Sequence, residues 1–134
     1  MSQRKVGFMR RPILFVLVAF TVLASSATAQ RRHDTTGIFS DMQVSKYTGD
    51  VSGMEFFIGL NWVLFQDAEG SVPQPILVDA KPQGNRLSFD LPSDYPFLKH
   101  FDGEIRNDRL IGHFTRNGGE PVPVDVKRRN SFWQ

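Results

Sequence analysis

Apolar and polar residues alternate in short runs through most of the chain after residue 37. The alternation is most regular over residues 86–91, 101–106 and 110–115, where about every second residue is apolar. A period of two places one face of a strand against a core and the other face in water. These three runs therefore predict strands that are each buried on one side.

The remaining apolar runs are rich in Val, Ile, Phe and Trp and are separated by Gly, Pro, Asn and Asp. They predict further strands at 38–46, 54–58, 62–66, 75–80 and 121–127, with turns at 59–61, 68–70, 81–85, 107–109 and 117–119. This spacing is typical of an antiparallel all-β domain. Only residues 93–100 have a helical pattern, and Pro96 limits it to a turn or two.

About eight strands within residues 37–134 favour a small antiparallel up-and-down β-barrel or half-barrel. Closure removes the two edge strands that an open sheet would expose to aggregation. The interior of so small a barrel is either filled by side chains or holds one small ligand.

Five aromatic residues lie at positions predicted to point into this barrel. They are the candidate ligand-binding residues Phe56, Trp62, Phe89, Phe101 and Phe114. Their rings would either pack together as the core or surround a cavity for an apolar molecule. Both alternatives are open at this point.

The first 29 residues have the three parts of a secretory signal. Four basic residues precede an apolar stretch over 13–24, and the small residues Ala27-Thr28-Ala29 come before Gln30. The apolar stretch is shorter than the roughly 20 residues that cross a bilayer. We therefore predict a signal-peptide helix over 1–29, cleaved between Ala29 and Gln30 or after Ala27. A flexible leader would follow over 30–36, with export to the periplasm or the exterior and no stable membrane span after cleavage.

Composition narrows the possible functions. The chain has 134 residues with 16 basic, 14 acidic and no cysteine, and removal of the predicted signal leaves 12 basic and 14 acidic residues. A net charge of −2 disfavours binding to nucleic acid, which needs a clustered positive surface. The absence of cysteine excludes disulfides and thiol chemistry, so packing alone must stabilise the domain.

Candidate metal-binding groups are few. The three histidines are His33, His100 and His113, and no two have the spacing of a zinc site. The alternative is that His100 and His113 meet across a hairpin near Asp102 as a two-histidine carboxylate cluster. We expect surface positions for all three, with no metal and no cofactor.

Paired carboxylates are the other candidate chemistry. Asp102 and Glu104 would share one face of a strand about 7 Å apart, between the separations used by the two classes of glycosidase. Arg106 and Arg109 are close enough to pair with them, which favours a solvated strand face over a catalytic pair. Asp67 and Glu69 form a second, less regular pair. We find no catalytic motif and expect no enzyme activity.

Two further segments are candidates for surface contacts. Residues 66–73 would form either a plain hairpin loop or one rim of a barrel mouth. The tail over 127–134 combines cations with Phe132 and Trp133, which we expect to pack over a barrel end with arginine stacked on the rings.

The runs over 101–105, 110–114 and 126–133 resemble those of small exported bacterial β-proteins of unassigned function. The chain also resembles lipocalin-like small barrels, in which an arginine of the last strand packs near an aromatic residue of the first. That resemblance implies a contact of Arg128 or Arg129 with Phe39. Gly37-Ile38-Phe39 stands where the pattern has Gly-x-Trp, and the chain is shorter than a typical lipocalin.

From these patterns we expect an exported monomer that binds a small hydrophobic molecule and does not transform it. The alternative is a protein-interaction module, such as an envelope factor or an inhibitor, that acts through loops at 48–53 and 66–74.

Overall fold

The structure, a computed structural model, describes residues 35–71 and 74–134, and nine β-strands form within them. The strands are β1 (Gly37–Ser40), β2 (Gln43–Val44), β3 (Val51–Ile58), β4 (Trp62–Glu69), β5 (Ile76–Gln83), β6 (Arg86–Asp90), β7 (Leu98–Arg106), β8 (Arg109–Arg116) and β9 (Val122–Arg128). The predicted signal, its cleavage site and most of the leader lie outside these residues. Within the described part of the chain, no helix is long and apolar enough to cross a membrane.

The strands form one antiparallel sheet that closes on itself. Each strand from β3 to β9 pairs with its neighbour in the sequence, while β1 pairs with β9 on one side and β3 on the other. The result is a closed barrel of eight strands, and β2 extends the sheet along β3. The predicted all-β class is confirmed, and the barrel is closed, not a half-barrel.

The strand predicted over 38–46 is interrupted at residues 41–42. Its two parts, β1 and β2, pair with β3 in one register. Between them, the Met54 N–H donates to Asp41 Oδ1 at 2.7 Å, so a side chain replaces a backbone acceptor. Gly53 makes room for this carboxylate, because a Cβ there would lie 2.8 Å from Asp41 Oδ1.

Several strands are longer than the sequence pattern indicates. Residues 68–69 and 81–83, predicted as turns, belong to β4 and β5 because they pair with β3 and β6. The predicted helical turn over 93–100 is wrong, since residues 98–100 begin β7 and no helix occurs in the described residues. Pairing with a neighbouring strand outweighs the local turn composition in each case.

Five phenylalanine rings meet at the centre of the barrel. Each is at most 2% exposed, and the paired ring centroids lie 5.0–6.5 Å apart. We call Phe56, Phe65, Phe89, Phe101 and Phe114 the ring cluster. They come from five different strands, so their contacts connect much of the barrel wall. Burial of each ring contributes about 1.5–3 kcal/mol.

A facing pair of glycines gives the ring cluster its space. Gly103 on β7 pairs directly with Gly112 on β8. A Cβ on Gly112 would lie 2.6 Å from Gly103 Cα and 2.9 Å from Phe101 Cζ. The tip of the Phe101 ring therefore occupies the space that side chains at positions 103 and 112 would fill.

One end of the barrel is closed by Arg128. Its guanidinium lies 4.6 Å from the centre of the Phe39 ring, and its Nε donates to Asp108 Oδ1 at 2.9 Å. The same guanidinium donates to the Thr36 carbonyl. The predicted arginine–aromatic contact is confirmed for Arg128.

The C-terminal tail crosses the outer wall and not a barrel end, which corrects the sequence expectation. Glu55 is 6% exposed and accepts hydrogen bonds from Ser131 Oγ and the Phe132 N–H, both at 2.9 Å. The Phe132 ring packs on a small outer cluster of Met42, Val51 and Ala68. Two charge-assisted hydrogen bonds to a buried carboxylate position this tail.

We predict that Gly112→Ala lowers the free energy of unfolding by about 1–3 kcal/mol, because the added methyl collides with the β7 backbone. Gly119→Ala is the matched control, since nothing lies within 4 Å of a Cβ there. Chemical denaturation of both variants measures the difference. Equal stabilities would contradict the close approach that we describe.

Candidate functional site

Four of the five predicted ligand-binding residues belong to the ring cluster. Phe56 lies 5.5 Å from Phe101 and 6.1 Å from Phe114, and Phe89 lies 5.1 Å from Phe101, measured between ring centres. These rings pack against one another. Of the two alternatives left by the sequence, the geometry therefore favours a core at this level of the barrel.

Trp62 lies on the outer surface, which corrects the prediction that it points inward. Its ring stacks on that of Phe57 at 5.5 Å with an interplanar angle of 6°. Val63 and Phe65, on the opposite face of β4, are fully buried. Residues 62–65 are apolar on both faces of the strand, so alternation alone does not define which face is buried.

His100, His113 and the Asp102–Glu104 pair lie on the outer wall, whereas His33 lies outside the described residues. His100 Nδ1 is 2.7 Å from Asp90 Oδ1, and Asp102 pairs with Arg86 at 2.9 Å. No group of three metal-binding side chains occurs among residues 35–71 and 74–134. The cluster of two histidines and Asp102 is therefore not formed.

The arginines near this face pair differently from the sequence expectation. Arg106 pairs with Glu104, as expected, but Arg109 donates to Asp125 at 2.7 Å across the β8–β9 ladder. The ion pair with Arg109 lowers the pKa of Asp125. Asp102, Glu104 and Asp125 thus each have an arginine partner, which is typical of a solvated strand face.

The candidate site is a pocket at the barrel end opposite Arg128, and we call it the mouth pocket. It has a volume of about 520 Å³. Its lining consists of Met54, Asp67, Glu69, Ser71, Tyr95, Pro96, Phe97, Leu98, Arg116 and Val122. Since Asp67, Glu69 and Ser71 lie in the predicted rim segment 66–73, the described part of that segment forms a rim of the mouth.

Asp67 is the half-buried carboxyl group of this pocket. It continues the inward-facing series of Val63 and Phe65 along β4, one step above the ring cluster. Burial raises the pKa of Asp67 to about 6, and the negative charges of Glu69 and Asp41 raise it further. The group can therefore gain or lose a proton near neutral pH.

Tyr95 lies between Asp67 and the ring cluster. Its ring meets that of Phe65 edge-on at 6.2 Å. Burial, together with the charges of Asp67 and Glu69, raises the pKa of Tyr95 to about 12. Its hydroxyl group therefore stays protonated and can donate a hydrogen bond at physiological pH.

The loop that carries Tyr95 and Phe97 is held by a lysine. Lys99 Nζ donates to the carbonyls of Ser93 and Tyr95 at 2.9 and 2.8 Å. The Leu98 N–H donates to the Pro96 carbonyl at 2.8 Å, which closes a three-residue turn around Phe97. These bonds fix the loop at the edge of the mouth.

Phe97 has an unusual conformation for its residue type. Its φ is 67°, in the region that bulky residues rarely adopt, and its side chain is 66% exposed. Such backbone strain costs on the order of 1–3 kcal/mol and often occurs at ligand-binding positions. The strain here presents an aromatic ring at the mouth and not in the core.

The mouth combines three kinds of group. Apolar walls come from Met54, Phe97 and Val122, two carboxylates from Asp67 and Glu69, and a guanidinium from Arg116 on β8. This arrangement can hold a small molecule that has both an apolar part and a charged part.

The sequence indicated only part of this site. The sequence indicates Asp67 and Glu69 as a carboxylate pair, but it predicts a helical turn that includes residues 95–97. The signal for this site is the alternation along β4. Because Val63 and Phe65 point inward, Asp67, two residues after Phe65, points inward as well. The turn around Phe97 has no comparable signal.

Comparison of the chain with protein-family models, curated proteins and solved structures finds no match. The site must therefore be interpreted from its own geometry.

We predict that Asp67→Asn raises the thermal midpoint at pH 7.5. Because the folded-state pKa of Asp67 is raised from 3.8 to about 6, ionisation opposes folding above pH 6. The gain should shrink as the pH falls from 6 toward 4, where the native carboxyl is protonated. Thermal unfolding across this range is the measurement.

Asp94→Asn, an exposed carboxylate on the β6–β7 loop, is the matched control and should show no such trend. If the Asp67→Asn gain did not vary with pH, the assignment of the raised pKa would be incorrect.

Proposed function

We propose that this protein is exported and binds a small molecule in the mouth pocket without transforming it. The ligand would have an apolar body and a positively charged group. The observation that carries this proposal is the position of Asp67 and Glu69 beside an aromatic wall in a cavity of about 520 Å³. Small-molecule sites commonly have volumes of roughly 300–1,000 Å³.

The apolar body is expected to lie on Phe97. This ring is 66% exposed, and it stands with Pro96 and Leu98 along one wall of the pocket. Removal of such a side chain from water contributes up to about 1.5–3 kcal/mol. Tyr95, which also lines the pocket, packs edge-on against Phe65 of the ring cluster.

The positive group follows from the electrostatics of the pocket. Asp67 is destabilised in its charged form by burial and by Glu69. A cation beside Asp67 would offset both effects, and the reciprocal effect is a lowered pKa of that carboxyl. Arg116 neutralises only part of the charge, since the lining contains two carboxylates and one arginine.

The loop geometry supports binding by a preformed site. Lys99 holds the carbonyls of Ser93 and Tyr95, so the aromatic wall is ordered without a ligand. Preorganisation reduces the entropy lost on binding.

This proposal moves the ligand from the barrel interior to its mouth. The sequence left open whether Phe56, Trp62, Phe89, Phe101 and Phe114 form a core or line a ligand cavity. The four phenylalanine rings contact one another, and Trp62 lies on the outer surface.

Three matched probes test the proposal: 2-phenylethylamine, 2-phenylethanol and 3-phenylpropionate. At pH 7.5 we expect the amine to bind about five- to tenfold more tightly than the alcohol, given the worth of a partly exposed ion pair. The acid should bind most weakly. Calorimetry gives the affinities, and NMR shifts of the Met54, Leu98 and Val122 methyl groups locate the probe.

The double variant Asp67→Asn, Glu69→Gln should bind amine and alcohol equally, whereas Asp94→Asn should keep the preference. Amine binding should also weaken as the pH falls below about 6, as Asp67 becomes protonated. The charged or titratable groups around Asp67 are Glu69, Asp41, Tyr95 and Arg116. A site elsewhere, or no preference for the amine, would refute the proposal.

The second candidate function is a protein-interaction module, and Tyr47 favours it. This residue precedes the predicted loop 48–53 and is 99% exposed, and Val44 nearby is 49% exposed. An exposed tyrosine is a common interface anchor.

If this candidate is correct, the protein should retain a partner from an envelope extract, and Tyr47→Ser should lose it. The control is Ile111→Ser, a change on β8, which does not pair with β2 or β3. This variant should retain the partner. Retention of no partner would exclude this candidate.

A further inference from the structure

The mouth pocket is lined by charges of both signs, and these charges lie on opposite walls of the barrel. Asp67 is on β4, and Arg116 is the last residue of β8. In the closed order of eight strands, β4 and β8 are four steps apart in either direction. The two side chains therefore line the pocket from opposite sides.

Both residues follow a phenylalanine of the ring cluster by two positions. Asp67 follows Phe65 on β4, and Arg116 follows Phe114 on β8. The centres of the Phe65 and Phe114 rings lie 5.1 Å apart. Because residues i and i+2 of a strand share a face, Asp67 and Arg116 are the first inward positions beyond two rings in contact.

The charges of the mouth pocket are not paired with each other. Several arginines elsewhere in the barrel pair with a carboxylate, as Arg86 does with Asp102 at 2.9 Å. Within residues 35–71 and 74–134, no ion pair involves Arg116, Asp67 or Glu69. The pocket therefore has separate anionic and cationic groups, both of which a bound molecule can contact.

A ligand with a single charge can pair with only one of these walls. An amine would lie beside Asp67 and Glu69 and leave Arg116 without a partner. A carboxylate would pair with Arg116 but would be repelled by two like charges. A molecule that has both an ammonium group and a carboxylate can form charge-assisted hydrogen bonds with both walls.

The aromatic wall fits an apolar side chain of such a molecule. Phe97 is 66% exposed, and it lines the pocket together with Pro96 and Leu98. Leu98 pairs directly with Arg116 across the β7–β8 ladder, so the apolar wall adjoins the cationic group. The cavity of about 520 Å³ is of the size that commonly holds small molecules.

We infer that the ligand of the mouth pocket is a zwitterion, namely an amino acid or a short peptide with an apolar side chain. Its ammonium group would lie beside Asp67 and Glu69, and its carboxylate would pair with Arg116. This inference rests on the proposed function, because it specifies the ligand of the same site. It assigns to Arg116 the selection of ligands that carry a carboxylate.

Two matched pairs of probes test this inference by calorimetry at pH 7.0. One pair is L-phenylalanine and L-phenylalaninol, and the other is the dipeptide Phe-Gly and its C-terminal amide. In each pair only the first probe has a carboxylate. We expect the carboxylate to tighten binding about three- to fivefold in at least one pair, the worth of a partly exposed ion pair. The pair with the larger effect distinguishes an amino acid from a short peptide.

Substitution of Arg116 assigns the effect to this residue. In Arg116→Gln the carboxylate should give no advantage, and L-phenylalaninol should bind at least as tightly as before, since a like charge is removed. In Arg116→Glu the preference should reverse. Arg129→Gln is the matched control and should keep the preference, because Arg129 follows Arg128 at the other end of the barrel. Arg116 and Arg129 are both exposed, and thermal unfolding checks that each variant is folded.

Two results would overturn this inference while the proposed function stands. One is binding of the amine probes at the mouth with no advantage from a carboxylate in either pair. The other is an advantage that persists in Arg116→Gln. If neither the zwitterions nor 2-phenylethylamine bind at the mouth, both the inference and the proposed function are refuted.

Discussion

The packing of five phenylalanine rings at the barrel axis is the constraint on which the rest of this structure depends. Phe56, Phe65, Phe89, Phe101 and Phe114 come from five strands and are almost completely removed from water. Since the chain has no cysteine, no disulfide supports the barrel, and this burial must stabilise it. The barrel closes around these rings, and Gly103 of β7 and Gly112 of β8 leave the space that the Phe101 ring occupies.

Because the rings fill the interior of the barrel, the candidate binding pocket lies at its mouth. Where the ring cluster ends, β4 continues with Asp67, so the first inward position above the rings is a carboxyl group. That step from aromatic to acidic creates the mouth pocket and raises the pKa of the carboxyl. At the opposite end, Arg128 covers the Phe39 ring. The barrel is thus polarised along its axis by a few residues.

Much of the architecture could be predicted from the sequence, and the failures have physical causes. Alternation identified β6 to β9 because the inward face of each is apolar while polar residues predominate on the outer face. It failed at Trp62, where both faces of β4 are apolar and only packing against Phe65 decides which one is inside. Alternation also does not predict the mouth pocket. Phe97 lies on a loop that Lys99 holds through hydrogen bonds, and such contacts leave no periodic pattern in the sequence.

By itself, the sequence determined the all-β class, the alternation that buries one face of each strand, and the slightly acidic charge of the chain that follows the predicted signal. These properties depend on composition and on the two-residue period of a strand, which are local. Only the tertiary structure decided that the rings meet, that Glu55 is covered by the tail, and that Asp67 and Phe97 line one pocket. These features join residues that are far apart in the chain, so they arise only when the strands pair and the barrel closes.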